Sequence, residues 1–166
     1  MMSENDQIDL EIVEVLMENG RMAAAEIARR IGGGISERVV RYRIERMIND
    51  KVIQICPIVS AQAFGLNTRA DVVLEVEADA IMDVAHKAMA YDCVSYVACS
   101  IGEMDVSIQV VAKDTAEIYR FVTEVIGKMP GVRKTTTSIV PIVLKDVYQW
   151  RMPRASVKKE NTANSK

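Results

Sequence analysis

The sequence predicts an α+β chain of two unlike halves: an N-terminal helix-turn-helix unit, winged-helix-like, followed by a βαββαβ unit. Three observations carry this reading. The first fifty residues hold three short apolar stripes at helical spacing, with breakers between them. Beyond residue 68, strand-like runs and helical stripes follow in the order strand, helix, strand, strand, helix, strand. The chain has 166 residues, 49% hydrophobic and 27% charged, enough for two small cores. The expected boundaries are residues 1–56 for the helical unit, 57–68 for a hinge, 69–148 for the βαββαβ unit and 149–166 for a disordered basic tail rich in Ser, Lys and Asn.

In the first helix Ile8, Ile12, Val15 and Leu16 form the apolar stripe, Asp6 or Asp9 can cap the start, and Asn19-Gly20 supplies the stop. The second buries Ala24, Ile27, Ala28 and Ile31, and Gly32-Gly33-Gly34 ends it. The third starts on Ser36 as N-cap and turns Val40, Ile44, Met47 and Ile48 inward, with Arg38, Arg41, Tyr42, Glu45 and Asn49 opposite. "KVIQICP" then reads as a short strand closed by Pro57, a minimal wing.

In the second half "RADVVLEVE" reads as a strand. Asp79 is expected to cap a helix whose stripe is Ile81, Val84, Ala85, Ala88 and Met89. "CVSYVACSI" and "MDVSIQVVA" are two strands joined by a tight hairpin at Gly102-Glu103. Asp114 caps a helix that buries Ile118, Phe121, Val122 and Val125, and "VRKTTTSIV" is a last strand that Pro141 interrupts. Right-handed crossovers place both helices on one face of a four-stranded sheet. The other face carries apolar positions as well, such as Val73 and Val111, so a homodimer stacked sheet on sheet is expected.

Charge is unevenly spread. Residues 1–20 carry six acids and no base, while residues 21–51 carry eight bases against four acids, a local +4 inside a chain of net charge −2. A near-neutral chain can therefore present one basic face. No apolar run reaches the roughly 20 residues that span a bilayer, and the start is polar and acidic, so a cytoplasmic protein without a membrane partner is expected. Cys56, Cys93 and Cys99 lack zinc-site spacing and read as small buried hydrophobes, and the single histidine, His86, has no acid or base partner in view. No metal, no cofactor and no catalytic residue is expected, and phosphate-loop and Gly-x-Ser-x-Gly motifs are absent.

Taken together, "IDLEIVEVLMENGRMAAAEIARRIG", "ISERVVRYRIERMINDKVI", "AFGLNTRADVVLEV", "IGEMDVSIQVV" and "MPGVRKTTTSIV" resemble the Lrp/AsnC, or feast/famine, transcriptional regulators over about Asp6 to Val147. The resemblance implies a helix-turn-helix joined to an amino-acid-sensing domain of ferredoxin-like fold. Members of that family usually have glycine where Lys51 stands, so here Asp50 or Lys51 must make the turn after the third helix.

The major groove admits an α-helix between two rows of phosphates. Arg38 and Arg41 lie one turn apart and suit a base edge and a phosphate. Arg43 and Arg46 would splay toward the groove walls, Tyr42 could donate to a phosphate, and Ser36 and Glu37 sit near the bases at the helix start. The bland alternative is a solvated face with pairs such as Arg41–Glu45. In the resembling family the Gly-x-x-Asp hairpin lies in an effector pocket between subunits, which carries an amino-acid effector role onto Gly102 and Asp105, and more weakly onto Glu103, Thr137 and Ser138. The expected partners are double-stranded DNA, further copies of the chain and a small amino acid. The expected function is regulation of amino-acid metabolism or transport. Two rivals are an amino-acid-binding adaptor that does not touch DNA and an enzyme like the haem-pathway decarboxylases built on the same two domains.

Overall fold

The computed structural model describes residues 7–150. The expected tail beyond Trp150 and the candidate cap Asp6 lie outside the described residues. The described residues form two compact units, one from residues 7–58 together with 146–150, the other from Val59–Lys145.

The first unit contains α1 (Gln7–Glu18), α2 (Ala24–Ile31) and α3 (Glu37–Asn49). Their stripes converge on one core, in which Ile12, Ile27 and Val40 are fully buried and Ala28 and Met47 nearly so. Ser36 caps α3 by accepting from the Val39 N–H at 3.3 Å. The break before α3 uses φ values of 74°, 62° and 76° at Gly32, Gly33 and Gly34, a left-handed run that side chains with a Cβ resist. Asp9 sits in the first turn of α1, where it is buried instead of capping. Two expectations fail for one geometric reason. Ile48 and Met89 are exposed, each standing eight residues after the first member of its stripe, Val40 or Ile81. At 100° per residue that is ~80° off the first member's direction, at the edge of the buried face.

The strand expected from "KVIQICP" does not form. Val52 and Ile53 fold back so that both N–H groups donate to the Met47 carbonyl, at 2.8 and 3.3 Å, and both side chains close the helical core. The following residues are exposed, and among the described residues no strand lies beside them to satisfy their backbone groups. The turn into this segment is made by Lys51 at φ 57°.

The second unit is an antiparallel sheet of β1 (Thr68–Val76), β2 (Val94–Cys99), β3 (Val106–Ala112) and β4 (Val132–Ile139) in the order β2-β3-β1-β4. α4 (Ile81–Met89) joins β1 to β2. α5 (Thr115–Arg120), continued by a π-helical turn Phe121–Val125 and a short 3-10 turn Ile126–Lys128, joins β3 to β4. Ala70, Val72, Leu74 and Val76 of β1 and Val106, Ile108, Val110 and Ala112 of β3 form a buried row against Val84 and Ala88 of α4 and Ile118, Val122 and Ile126 of the α5 segment. Asp114 caps α5 as expected, accepting from the Glu117 N–H at 2.8 Å, but Asp79 makes no cap and α4 begins after Ala80. Gly131 opens β4 at φ 90°, and a Cβ there would lie 2.3 Å from the Ala80 Cβ, so only glycine fits.

The other sheet face is mixed rather than apolar. Val73 and Val111 are only half-buried, and the positions around them are polar. The Gln109 amide donates to Asp71 at 2.9 Å, the Ser95 hydroxyl meets Gln109 at 3.3 Å, and Lys134 pairs with Glu75 at 2.8 Å. The expected hairpin between β2 and β3 forms, with Cys99 opposite Val106 and Gly102 and Glu103 in its loop, but the turn is not tight, since residues 100–105 make a longer connection. Among the described residues no helix is long and apolar enough to cross a membrane.

Candidate nucleic-acid interface and ligand loop

α3 presents two flanks of different character. On the outward one, Arg38, Arg41, Tyr42 and Glu37 are exposed, with Tyr42 at 64% and Val39 at 40%. Arg41 pairs with Glu37, one turn back, and not with Glu45. So exposed an i,i+4 pair contributes only about 0.3–0.5 kcal/mol, and it can open to meet a phosphate or base at small cost. Arg38 has no ion-pair partner among the described residues. Ser36 is occupied by its capping bond at the end of the same flank.

The inward flank corrects the sequence reading. Arg43 and Arg46 do not splay outward; both are turned to Asp9 of α1. Arg43 Nη1 donates to Asp9 Oδ1 at 2.8 Å, and Arg46 Nη2 donates to Asp9 Oδ2. The Asp9 side chain is 7% exposed, so its charge would be costly without these two donors. The sequence does carry a signal for this role of Asp9 beyond its capacity to cap. Asp9 lies three residues before Ile12 and seven before Leu16, on the buried stripe, where a carboxylate requires cations facing it. The arginines of α2 are likewise paired, Arg29 with Glu26 of the same helix and Arg30 with Glu18 at the end of α1, at 3.0 Å.

In the second unit, Gly102 and Glu103 stand exposed on the 100–105 connection, with Gly102 at φ 147° and open space around its Cα. Ile101 beside them is fully exposed. Asp105 has a different place from the one expected of a free carboxylate. Its Oδ2 accepts from the Val76 N–H at 2.7 Å, its own N–H donates to the Leu74 carbonyl at 3.0 Å, and its carbonyl accepts from Ser100 at 2.9 Å. It thus pins the connection to the end of β1, where the β1–β4 register shifts between Glu75 and Val76. Arg133, also missed in the sequence, lies 4.0 Å from Asp105 Oδ2 and donates to the Val76 carbonyl at 3.3 Å. Thr137 and Ser138 are exposed on the edge strand β4, opposite Val72 and Asp71 respectively, so their side chains point to opposite sheet faces. They do not line one pocket wall together.

Of the cysteines, Cys56 and Cys99 are exposed and only Cys93 is partly buried, which corrects the expectation of three buried thiols. Cys56 lies on the unpaired segment after α3, and Cys99 is the last residue of the edge strand β2. Burial pushes the Cys93 thiol pKa up, and the nearby negative charges of Glu117 and Asp92 add to the rise. His86 is exposed on α4. Among the described residues no group of three or more His, Cys, Asp or Glu side chains could hold a metal ion.

This combination of a basic helical ridge and a βαββαβ unit is matched by known families in the same order. Residues 6–48 match the AsnC-type helix-turn-helix domain and residues 70–149 the Lrp/AsnC ligand binding domain. The HTH-type transcriptional regulator PH0140 of Pyrococcus horikoshii is 32% identical over 146 residues, covering 87% of this chain and 91% of its own. The HTH-type transcriptional regulator FL11 of Pyrococcus furiosus is 30% identical over 145 residues, covering 87% and 94%. The chain belongs to the Lrp/AsnC family of DNA-binding transcriptional regulators. Its fold is shared with Escherichia coli AsnC, at a TM-score of 0.78 and 23% identity over 88% of this chain and 99% of that one. The regulator NMB0573 of Neisseria meningitidis, solved as an L-Met complex, gives a TM-score of 0.78 at 24% identity over 85% and 92%.

Proposed function

We propose that this regulator reads duplex DNA with the outward flank of α3 and answers to a small amino acid held at the 100–105 connection, controlling amino-acid metabolism or transport. The observation that carries the reading is the division of α3 itself. Val40 and Met47 anchor one side in the core, which leaves Arg38, Arg41 and Tyr42 as an exposed cationic ridge one turn long. A ridge of that length fits the major groove, with one guanidinium for a guanine edge and another for a phosphate. Ser36 and Glu37, at the helix start, lie nearest the bases in that pose.

One head of this size has little affinity alone, so the working species is a homodimer that presents two heads to half-sites about 34–36 Å apart, or a multiple of that. The mixed outer sheet face, with Val73 and Val111 set among polar groups, suits a reversible contact between copies. For the effector, Glu103 supplies an exposed carboxylate for an ammonium group and the backbone at Gly102 supplies room for a ligand carboxylate. Asp105 shapes the loop from below through Val76. The L-Met complex of the Neisseria relative supports an amino acid as the ligand class.

Selection of bound fragments from the source genome, followed by titration at two salt concentrations, tests the DNA reading. Affinity should fall steeply as salt rises, because phosphate contacts release counterions. Arg41→Ala should weaken the selected site by about 1–3 kcal/mol and flatten preference at one base pair. An equal loss on every duplex would make Arg41 a phosphate contact only. Calorimetry against the common amino acids tests the effector, and no heat with any of them would remove that part of the proposal.

A further inference from the structure

We infer that Asp9 is a positioning residue that withholds Arg43 and Arg46 from DNA phosphate, so that α3 engages its target through the Arg38–Tyr42 ridge alone. The inference rests on the DNA reading of α3 and concerns which of its four arginines take part.

Arg38, Arg41, Arg43 and Arg46 give this helix the appearance of a uniformly cationic rod. The structure divides them. Asp9 lies on a different helix, buried, and offers one carboxylate oxygen to each of Arg43 and Arg46. A carboxylate with both oxygens engaged by guanidinium groups, shielded from water, is a far stronger competitor for those cations than an exposed glutamate. Arg46 is the informative member, because its side chain is still 37% exposed and would be free to swing outward if its acceptor were removed. Among the described residues Arg41 is held only by exposed Glu37, and it remains available.

The consequence is one of discrimination. Phosphate contacts raise affinity for every duplex alike and carry no sequence information, whereas base contacts do. Locking two arginines inward therefore lowers non-specific binding without touching the groups that reach base edges. It also fixes the pose of α3 against α1, since one buried acid tethers two successive turns of the helix.

The full-length chain and its Asp9→Asn, Asp9→Glu and Arg46→Gln variants would be titrated with a short labelled duplex of arbitrary sequence between roughly 50 and 200 mM salt. Asp9→Asn should steepen the salt slope by about 0.9 per bound head, the signature of one added phosphate contact, which over that range is a further three- to fourfold loss of affinity. Asp9→Glu should restore the wild-type slope. Arg46→Gln should lower thermal stability and leave the slope unchanged, because the residue makes no phosphate contact to lose. This asymmetry separates withholding from a mere change of net charge, which would move the slope as far down in Arg46→Gln as up in Asp9→Asn. Equal and opposite shifts, or an Asp9→Asn slope equal to wild type, overturn the inference while leaving DNA binding intact. Absence of salt-dependent binding by the wild-type chain overturns the DNA reading and this inference with it. Should Asp9→Asn not fold, as judged by circular dichroism, Arg46→Gln decides alone, and a fall of about 0.9 in its slope counts against the inference.

Discussion

Lys51 holds φ 57° at the turn where α3 gives way to the segment that packs Val52 and Ile53. A residue with a Cβ spends about 1–2 kcal/mol in that conformation, and glycine, which adopts it freely, loses more entropy on folding by about 0.4–1 kcal/mol. The difference favours glycine. Lys51→Gly should therefore stabilise the helical unit by about 0.5–1 kcal/mol in urea denaturation, and an unchanged or lower midpoint would show that the lysine side chain offsets the strain. The thiols give a second test at this scale. A thiolate is the reactive form, and burial together with Glu117 and Asp92 raises the Cys93 pKa, so at neutral pH less of it is ionised. Iodoacetamide at neutral pH should label exposed Cys56 and Cys99 first, with Cys93 lagging until the pH is raised or the protein unfolds. Peptide mapping that found Cys93 among the first labelled would refute this.

Among the elements, the stripes and the caps of α3 and α5 are legible in the sequence, and the edges and the other caps are not. Ser36 and Asp114 cap as read because an N-cap needs only a short polar side chain placed before an apolar stripe. Asp114 does so with help from Glu117, whose carboxylate accepts from the Lys113 N–H at 2.8 Å. Asp114→Ala should cost about 1 kcal/mol, with raised amide exchange confined at first to the start of α5; exchange spread evenly over the sheet would point to another cause. Ile48 and Met89 are exposed because apolar character does not bring burial at the margin of a stripe, where the helix has already turned toward solvent. The missing wing and the longer hairpin turn have a different cause. Each depends on pairing or loop geometry with a neighbour that local pattern does not encode, and the first has no partner strand among the described residues.

At the scale of the whole molecule, the two buried clusters share no residue. A cavity made in one should be felt there first. Ile27→Ala should destabilise the helical unit by about 2–5 kcal/mol and speed hydrogen exchange in α1 to α3, while Ile126→Ala should do the same to β1, β3 and the α5 segment. If either substitution opened both sets of amides equally, the two units would have to unfold together. The candidate site followed the same division of legibility. Arg38, Arg41 and Tyr42 stand where the helical period put them, but Arg43 and Arg46 were drawn inward by Asp9, and Asp105 was drawn to Val76.

The sequence by itself determined the order of elements, the place of the two cores and the cationic flank of α3, because each follows from periodicities of 3.6 and 2 acting over a few neighbouring residues. Only the tertiary structure decided which charges remain available. Asp9 stands 34 and 37 positions from the arginines it binds, and Asp105 stands 29 from the amide it accepts. An ion pair or hydrogen bond depends on distance in space, which residue spacing alone does not report once the chain has turned back on itself.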